Sequence, residues 1–240
     1  MTKPALIHVV DVETTGLLET DRVVELAAVE VTGVVADPTT GLVQWRVGAP
    51  VSSFVNPQRP IPPEASGVHH ICDEDVSGAP WLGDAIGEVL PLWETTVDVV
   101  AAHNAKFDKP FLPPLAVKRW ICTWRCSMHV FPDAPSFSNG ALFYYLGFKR
   151  GLGAPAPHRA GFDVWMTAHI LTRLLEERSV DDLLKLSRKA VVLKRVPFGK
   201  HFNELWTEIP DGYLDWASKQ DFEPDVKFTV KTEIARRAAL

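Results

Sequence analysis

Four acidic side chains and one histidine define the chemistry open to this chain. Asp11 and Glu13 lie in DVETTGL at 11–17, Asp108 in HNAKFD at 103–108, and His158 and Asp163 in HRAGFD at 158–163. Carboxylates in this number offer hard oxygen ligands, which suit Mg²⁺ or Mn²⁺. An imidazole titrates near neutrality and takes a proton from water. The set is the equipment for two-metal cleavage of a phosphodiester.

The surrounding sequence must bring these groups together. Ala5 to Val12 is a short, β-branched apolar run that reads as a buried strand. Residues two apart on a strand point the same way, about 6–7 Å apart, so Asp11 and Glu13 face one site. Two neighbouring carboxylates repel unless a cation sits between them; taken alone, the pair also reads as solvated acids at a strand end. Asp108 follows a second apolar strand, Val97 to Ala102, with Asn104 placed to cap or turn the chain into a helix. Ligands of open α/β sheets lie beyond the carboxyl ends of strands, although an Asp in a first helical turn often only offsets the dipole. Asp163 opens a predicted helix over 160–178, whose apolar positions Val164, Ala168, Leu171 and Leu175 recur at helical spacing and bury the opposite face. His158, preceded by Pro155 and Pro157, sits on the incoming loop. His8, His129, His169 and His201 read as structural.

A chain of 240 residues, 46% hydrophobic, buries a full core and suggests one ordinary domain with an appendage. Without an 18-residue apolar stretch or a charged-then-apolar leader pattern, it reads as a soluble, cytoplasmic protein with no membrane partner. Cys72, Cys122 and Cys126 match no usual zinc spacing and read as reduced, buried thiols. The net charge of −5 is unevenly divided: residues 1–100 carry 15 acids and 4 bases, whereas 101–200 carry 7 and 16. Lys185, Arg188, Lys189, Lys194, Arg195 and Lys200 form a run without an acid, either a phosphate track or a solvated face.

Turn residues and periodicity predict strands at 5–12, 23–31, 43–56, 97–102 and 119–125. They predict helices near 63–70, 81–94, 107–118, 126–131, 138–147, 160–178 and 180–190. A basic strand-like stretch at 191–198 then leads to Phe198, Phe202, Trp206, Tyr213 and Trp216, which read first as the core of a small subdomain and second as base-stacking platforms. Mixed strands flanked by helices make an α/β domain over 1–178, followed by an extension over 179–240 that binds nucleic acid or a partner.

The three motifs, in this order, resemble the DEDDh (DnaQ-like) family of 3′-to-5′ exonucleases, with His158 at the family's histidine position. The likeness extends through VELAAVEV at 24–31, FVNPQRPIPPEASGVHHI at 54–71 and FPDAPSFSNGALFYYLGF at 131–148. It implies a ribonuclease H-like fold with a mixed five-stranded sheet flanked by helices and a small C-terminal extension. It further implies hydrolysis of DNA from its 3′ end to nucleoside 5′-monophosphates with two Mg²⁺ ions, for which Mn²⁺ substitutes. Asp11 would bridge the ions, Glu13 and Asp163 complete one site, Asp108 support the other, and His158 act as general base. Thr14, Thr15, Gly16, Leu17, Leu18, His69, Asn104 and Phe107 are the substrate-binding candidates. Backbone amides near Thr14 and Thr15 would hold the terminal hydroxyl, and Leu17 and Leu18 would act as an apolar wedge. The partners would be single-stranded DNA or duplex 3′ ends, in a role such as DNA repair. An exoribonuclease or oligoribonuclease acting on RNA, a polymerase proofreading subunit and a non-catalytic nucleic-acid-binding protein are the alternatives, and a homodimer is left open.

Overall fold

The computed structural model describes residues 6–37, 39, 42–91, 98–149 and 159–239. Strand β1 (Leu6–Thr14) forms the centre of a mixed sheet, antiparallel to β2 (Val23–Asp37) and parallel to β5 (Val99–Ala102), which pairs in parallel with β6 (Arg119–Cys122). The far side of the long β2 carries β3 (Leu42–Val47) and β4 (Val51–Phe54) end to end. The single strand expected at 43–56 is therefore two, and the sheet has six strands in five ranks instead of five strands. Gly48 marks the break, donating its amide to the Glu30 carbonyl at 2.9 Å before Pro50 interrupts the pairing.

Alternation along β1 sorts its side chains between two helical layers. Ile7 and Val9 join Ala27, Val29, Ala101 and Ile121 beneath helix α7 (Ala160–Glu177), which lays Val164, Ala168 and Leu171 on that face. Val10 and Val12 point the other way, toward α3 (Leu82–Val89) and α4 (Ala105–Phe111). Asp11 and Glu13 continue the Ile7–Val9 face, so the buried stripe beneath α7 changes from apolar to acidic at its end.

Smaller elements differ from expectation for local reasons. Helix α1 (Pro63–His69) stands as predicted, with a short helix α2 (Asp73–Val76) after it. Cys72 sits at the exposed start of α2, so only Cys122 and Cys126 are buried among three free thiols. Residues 92–97, at the end of the helix expected over 81–94, lie outside the described residues. Pro110 and Pro113 end α4 early, leaving a 3-10 turn at 113–115. Helix α5 (Thr123–Val130) begins at the end of β6, and α6 (Asn139–Tyr145) follows.

The chain divides into two compact units, one up to Ser187 and the other from Arg188. Helix α8 (Val180–Leu186) belongs to the first, beyond the boundary expected at 178, because Leu183 and Leu184 join the core beneath α7 and Ser187 accepts the Cys122 amide at 2.8 Å. In the second unit the stretch 191–198 is no strand; Arg195 makes an isolated bridge to Leu205. Val196, Trp206, Ile209 and Leu214 pack with Val226 and Val230 between α9 (Asp211–Ser218) and α10 (Pro224–Ala238). Trp206 is thus core, Phe198 and Tyr213 pack at its margin, and Phe202 and Trp216 are exposed. Buried Glu233 binds both Arg236 and Arg237, and Arg237 donates to the Trp206 and Thr207 carbonyls.

Candidate active site

Parallel pairing of β1 and β5 puts their carboxyl ends at the same sheet edge, where the acids of the first two motifs lie. The first turn of α7 adds Asp163. Carboxylate oxygens of Asp11, Glu13 and Asp163 all lie within 4.8 Å of one another. Asp108, fully buried in α4, stands close enough to raise the Asp11 carboxyl and accepts hydrogen bonds from its own amide and that of Val12. Val12 lies beyond the β1–β5 pairing at residues 7–9, which leaves its amide for a side chain.

Concentrating acids here is costly. Burial, reinforced by Asp108, Asp163, Glu13 and Glu25, pushes the Asp11 carboxyl well above its usual range. Burial and the charges of Asp163 and Glu25, against a smaller opposing effect of Arg159, lift Glu13 to about 7. Burial lifts Asp108 to about 8 despite its two amide donors. A rise from 4.5 to about 7 makes ionising Glu13 cost on the order of 3 kcal/mol. That exceeds what a surface ion pair returns, about 0–1 kcal/mol. A divalent cation among the oxygens reverses the sign of each repulsion, so the donor set fits such an ion.

Of these acids, Glu13 also lines a cleft of about 360 Å³, with Thr14, Thr15, Gly16, Leu17, Pro62, Glu64, Ala65, Val68, His69 and Phe107. Thr14, Thr15, Gly16, Leu17, His69 and Phe107 thus line one cleft. Asp21 shapes its rim by accepting from the Leu18 amide at 2.9 Å and the Thr15 hydroxyl at 3.0 Å. A Cβ on Gly16 would lie 2.5 Å from that carboxylate, so only glycine fits without moving Asp21. Leu17 and Leu18 project beyond the rim, 83% and 69% exposed. The Thr15 amide already donates to the Arg22 carbonyl at 2.8 Å, which removes it as a donor to a substrate hydroxyl.

Buried His69 accepts the Ile71 amide at Nδ1, so Nε2 carries the proton, and burial lowers its pKa. Of the two roles expected for Asn104, capping or turning, the structure shows the turn: its side chain makes no cap hydrogen bond, and a left-handed conformation at φ 67° leads the chain from β5 into α4. Its neighbour His103, half-buried and with its pKa lowered to about 4 by loss of solvent, bridges the Thr123 hydroxyl and the Phe137 carbonyl. His158 lies outside the described residues.

Sequence reasoning missed Glu25 and Arg159. Glu25 stands opposite Glu13 in the β1–β2 ladder and accepts two hydrogen bonds from Arg159. The available signal was an acid within the otherwise apolar VELAAV run, since a charge there needs a partner.

A mixed sheet with acids gathered over the carboxyl ends of adjacent parallel strands, and a long helix delivering one of them, defines a ribonuclease H-like hydrolase fold. The chain belongs to the exonuclease family: the family model RNase_T, described as Exonuclease, matches residues 8–171. Exodeoxyribonuclease 10 of Escherichia coli strain K12 is 27% identical over 238 residues, covering 94% of this chain and 97% of that protein. DNA polymerase III subunit epsilon of Treponema pallidum is 30% identical over 175 residues, covering 69% of this chain and 74% of its own length. Among solved structures, Exonuclease X in complex with 5′ overhanging duplex DNA matches with a TM-score of 0.61 at 28% identity, covering 75% of this chain and 99% of that one.

Proposed function

We propose that this exonuclease removes nucleotides from the 3′ end of DNA, releasing nucleoside 5′-monophosphates with the help of two Mg²⁺ ions, for which Mn²⁺ substitutes. One observation carries the reading: the carboxylates of Asp11, Glu13 and Asp163 lie within 4.8 Å of one another, and Glu13 also lines a cleft of about 360 Å³, a volume that suits a nucleoside. Asp11, Glu13 and Asp163 would hold one ion, and Asp11 with Asp108 the other. Bound divalent cations acidify water and offset charge on phosphoryl oxygens. The chain's own groups orient the rest. His158 takes the proton of the attacking water, the cleft between Val68 and Phe107 receives the terminal nucleoside beside His69, and Leu17 and Leu18 wedge the terminal base from its neighbour or its pairing partner.

DNA as substrate is supported by the near full-length likeness to an exodeoxyribonuclease and by the duplex DNA in the Exonuclease X structure. We assign the unit from Arg188 to nucleic-acid binding, supported by Lys200 lying 5.7 Å over the Tyr213 ring next to Trp216, which is 45% exposed. Three free cysteines suit a reducing compartment, the cytoplasm. Matched 5′-labelled DNA and RNA oligonucleotides with Mg²⁺ test polarity and sugar preference together. Progressive shortening of the labelled DNA ladder from its 3′ end, faster than for RNA, is expected; immediate release of a labelled mononucleotide, or faster RNA digestion, contradicts the reading.

A further inference from the structure

Arg159 is both the N-cap residue of α7 and the partner of a buried acid. Its carbonyl accepts the amides of Phe162 at 2.8 Å and of Asp163 at 3.2 Å, so the backbone of Asp163 hangs from it. Its guanidinium donates Nε to one Glu25 oxygen at 3.0 Å and Nη2 to the other at 2.8 Å, and lies 4.7 Å from the centre of the Phe54 ring. The Ala160 amide joins the same carboxylate at 3.2 Å. Glu25 is 1% exposed and is fixed in the β2 ladder directly opposite Glu13.

These contacts make a rigid connection from β2 to the first turn of α7. Both Glu25 oxygens are engaged by Arg159 and Ala160, which sets Glu25 apart from the carboxylates that converge nearby. We propose that Glu25 and Arg159 are positioning residues: a bidentate clamp that sets the axial and rotational register of the start of α7, and through it the placement of Asp163 against Asp11 and Glu13. A planar fork on a carboxylate fixes direction as well as distance, which a lysine does not reproduce. The inference rests on the exonuclease reading for its catalytic consequence and on geometry alone for its structural one.

The test uses the full chain and the variants Arg159→Lys, Arg159→Gln, Glu25→Gln and the Glu25→Gln/Arg159→Gln double. Arg173→Gln, which removes an exposed pair with Glu176 on the same helix, is the control. On 5′-labelled single-stranded DNA, Arg159→Lys should lower kcat at least ~10-fold, and Arg159→Gln toward ~100-fold, the scale of a misplacement of about 1 Å. KM should stay within about twofold, and the double variant should lose no more than the worse single one. Amide exchange at Phe162 and Asp163 should accelerate in Arg159→Lys and not in Arg173→Gln. That second readout holds whether or not the protein cleaves DNA, so failure of the functional reading and failure of the clamp are distinguishable. Arg159→Lys with unchanged exchange at these amides overturns the proposal; so does wild-type kcat, or a loss confined to KM. If Glu25→Gln does not fold, Arg159→Lys still decides, because Arg159 is 39% exposed and keeps a cation beside the acid.

Discussion

Glu13 and Glu25 face each other across the β1–β2 ladder but have opposite environments. Glu25 is neutralised by Arg159, whereas Glu13 lies among Asp11 and Asp163 and is lifted to about 7. The same strand pair therefore holds one satisfied acid and one that calls for a cation.

This frustration should be visible in stability. A carboxyl whose folded pKa is raised opposes folding as pH climbs from its unfolded value toward the folded one, and the opposition is fully present above the latter. For Glu13, at about 7, and Asp108, at about 8, lowering pH from 8 to 6 in EDTA relieves that opposition, by at most about 1.4 kcal/mol per proton per pH unit. Mg²⁺ relieves it by another route, and protons compete with it. The rise in Tm produced by Mg²⁺ should be larger at pH 8 than at pH 6. An equal rise at both, measured by thermal scanning, would separate these carboxyls from the metal.

Asp163→Asn removes one source of repulsion acting on Asp11 and Glu13. In EDTA the variant should melt at or above the wild-type temperature, and its turnover with Mg²⁺ should fall by orders of magnitude. Asp11→Ala should behave in the same direction. Wild-type turnover in either protein would remove that residue from the mechanism.

For His158→Ala, loss of a general base should reduce kcat by about 10²–10⁴-fold at neutral pH. The deficit should narrow as pH rises, because hydroxide becomes available. A pH–rate profile parallel to that of the wild type would assign the proton to another group.

The C-terminal unit is tested by salt. Neutralising Lys194, Arg195 and Lys200 should weaken binding to long DNA and reduce the slope of log K against log salt by nearly one for each phosphate that no longer meets a cation. A chain ending at Ser187 should match the triple variant. The cut belongs there and not at 180, since α8 and the Ser187 hydroxyl complete the first unit. Unchanged slopes in both proteins would make the basic run a solvated face.

What the sequence made legible follows from range. Alternation along β1 suffices to align Asp11 with Glu13, because that periodicity is local; the apolar stripe of α7 predicts the helix and its buried face but puts Asp163 on the opposite face, and the approach of Asp163 to Asp11 and Glu13 is set by packing on the sheet. The division of 43–56 into β3 and β4 depended on where pairing with β2 lapses, between the Gly48 bond to Glu30 and the resumption at Val51, and the left-handed Asn104 on a turn imposed by β5 and α4. Glu25 escaped notice because its partner is 134 residues away. The boundary at 187 was hidden for a similar reason: Ser187 follows a helix that a sequence reading leaves free to join either unit, and the long-range packing of Leu183 and Leu184 with the bond from Cys122 to Ser187 decides.

The central claim is that the gathered carboxylates act through a divalent cation, and one measurement addresses it most directly. Purified full-length protein is incubated with 5′-labelled single-stranded DNA in excess EDTA, and Mg²⁺ is then added beyond the chelator. The account predicts no shortening in EDTA and a 3′-end ladder once Mg²⁺ is present. Digestion at the same rate throughout the EDTA incubation would contradict it.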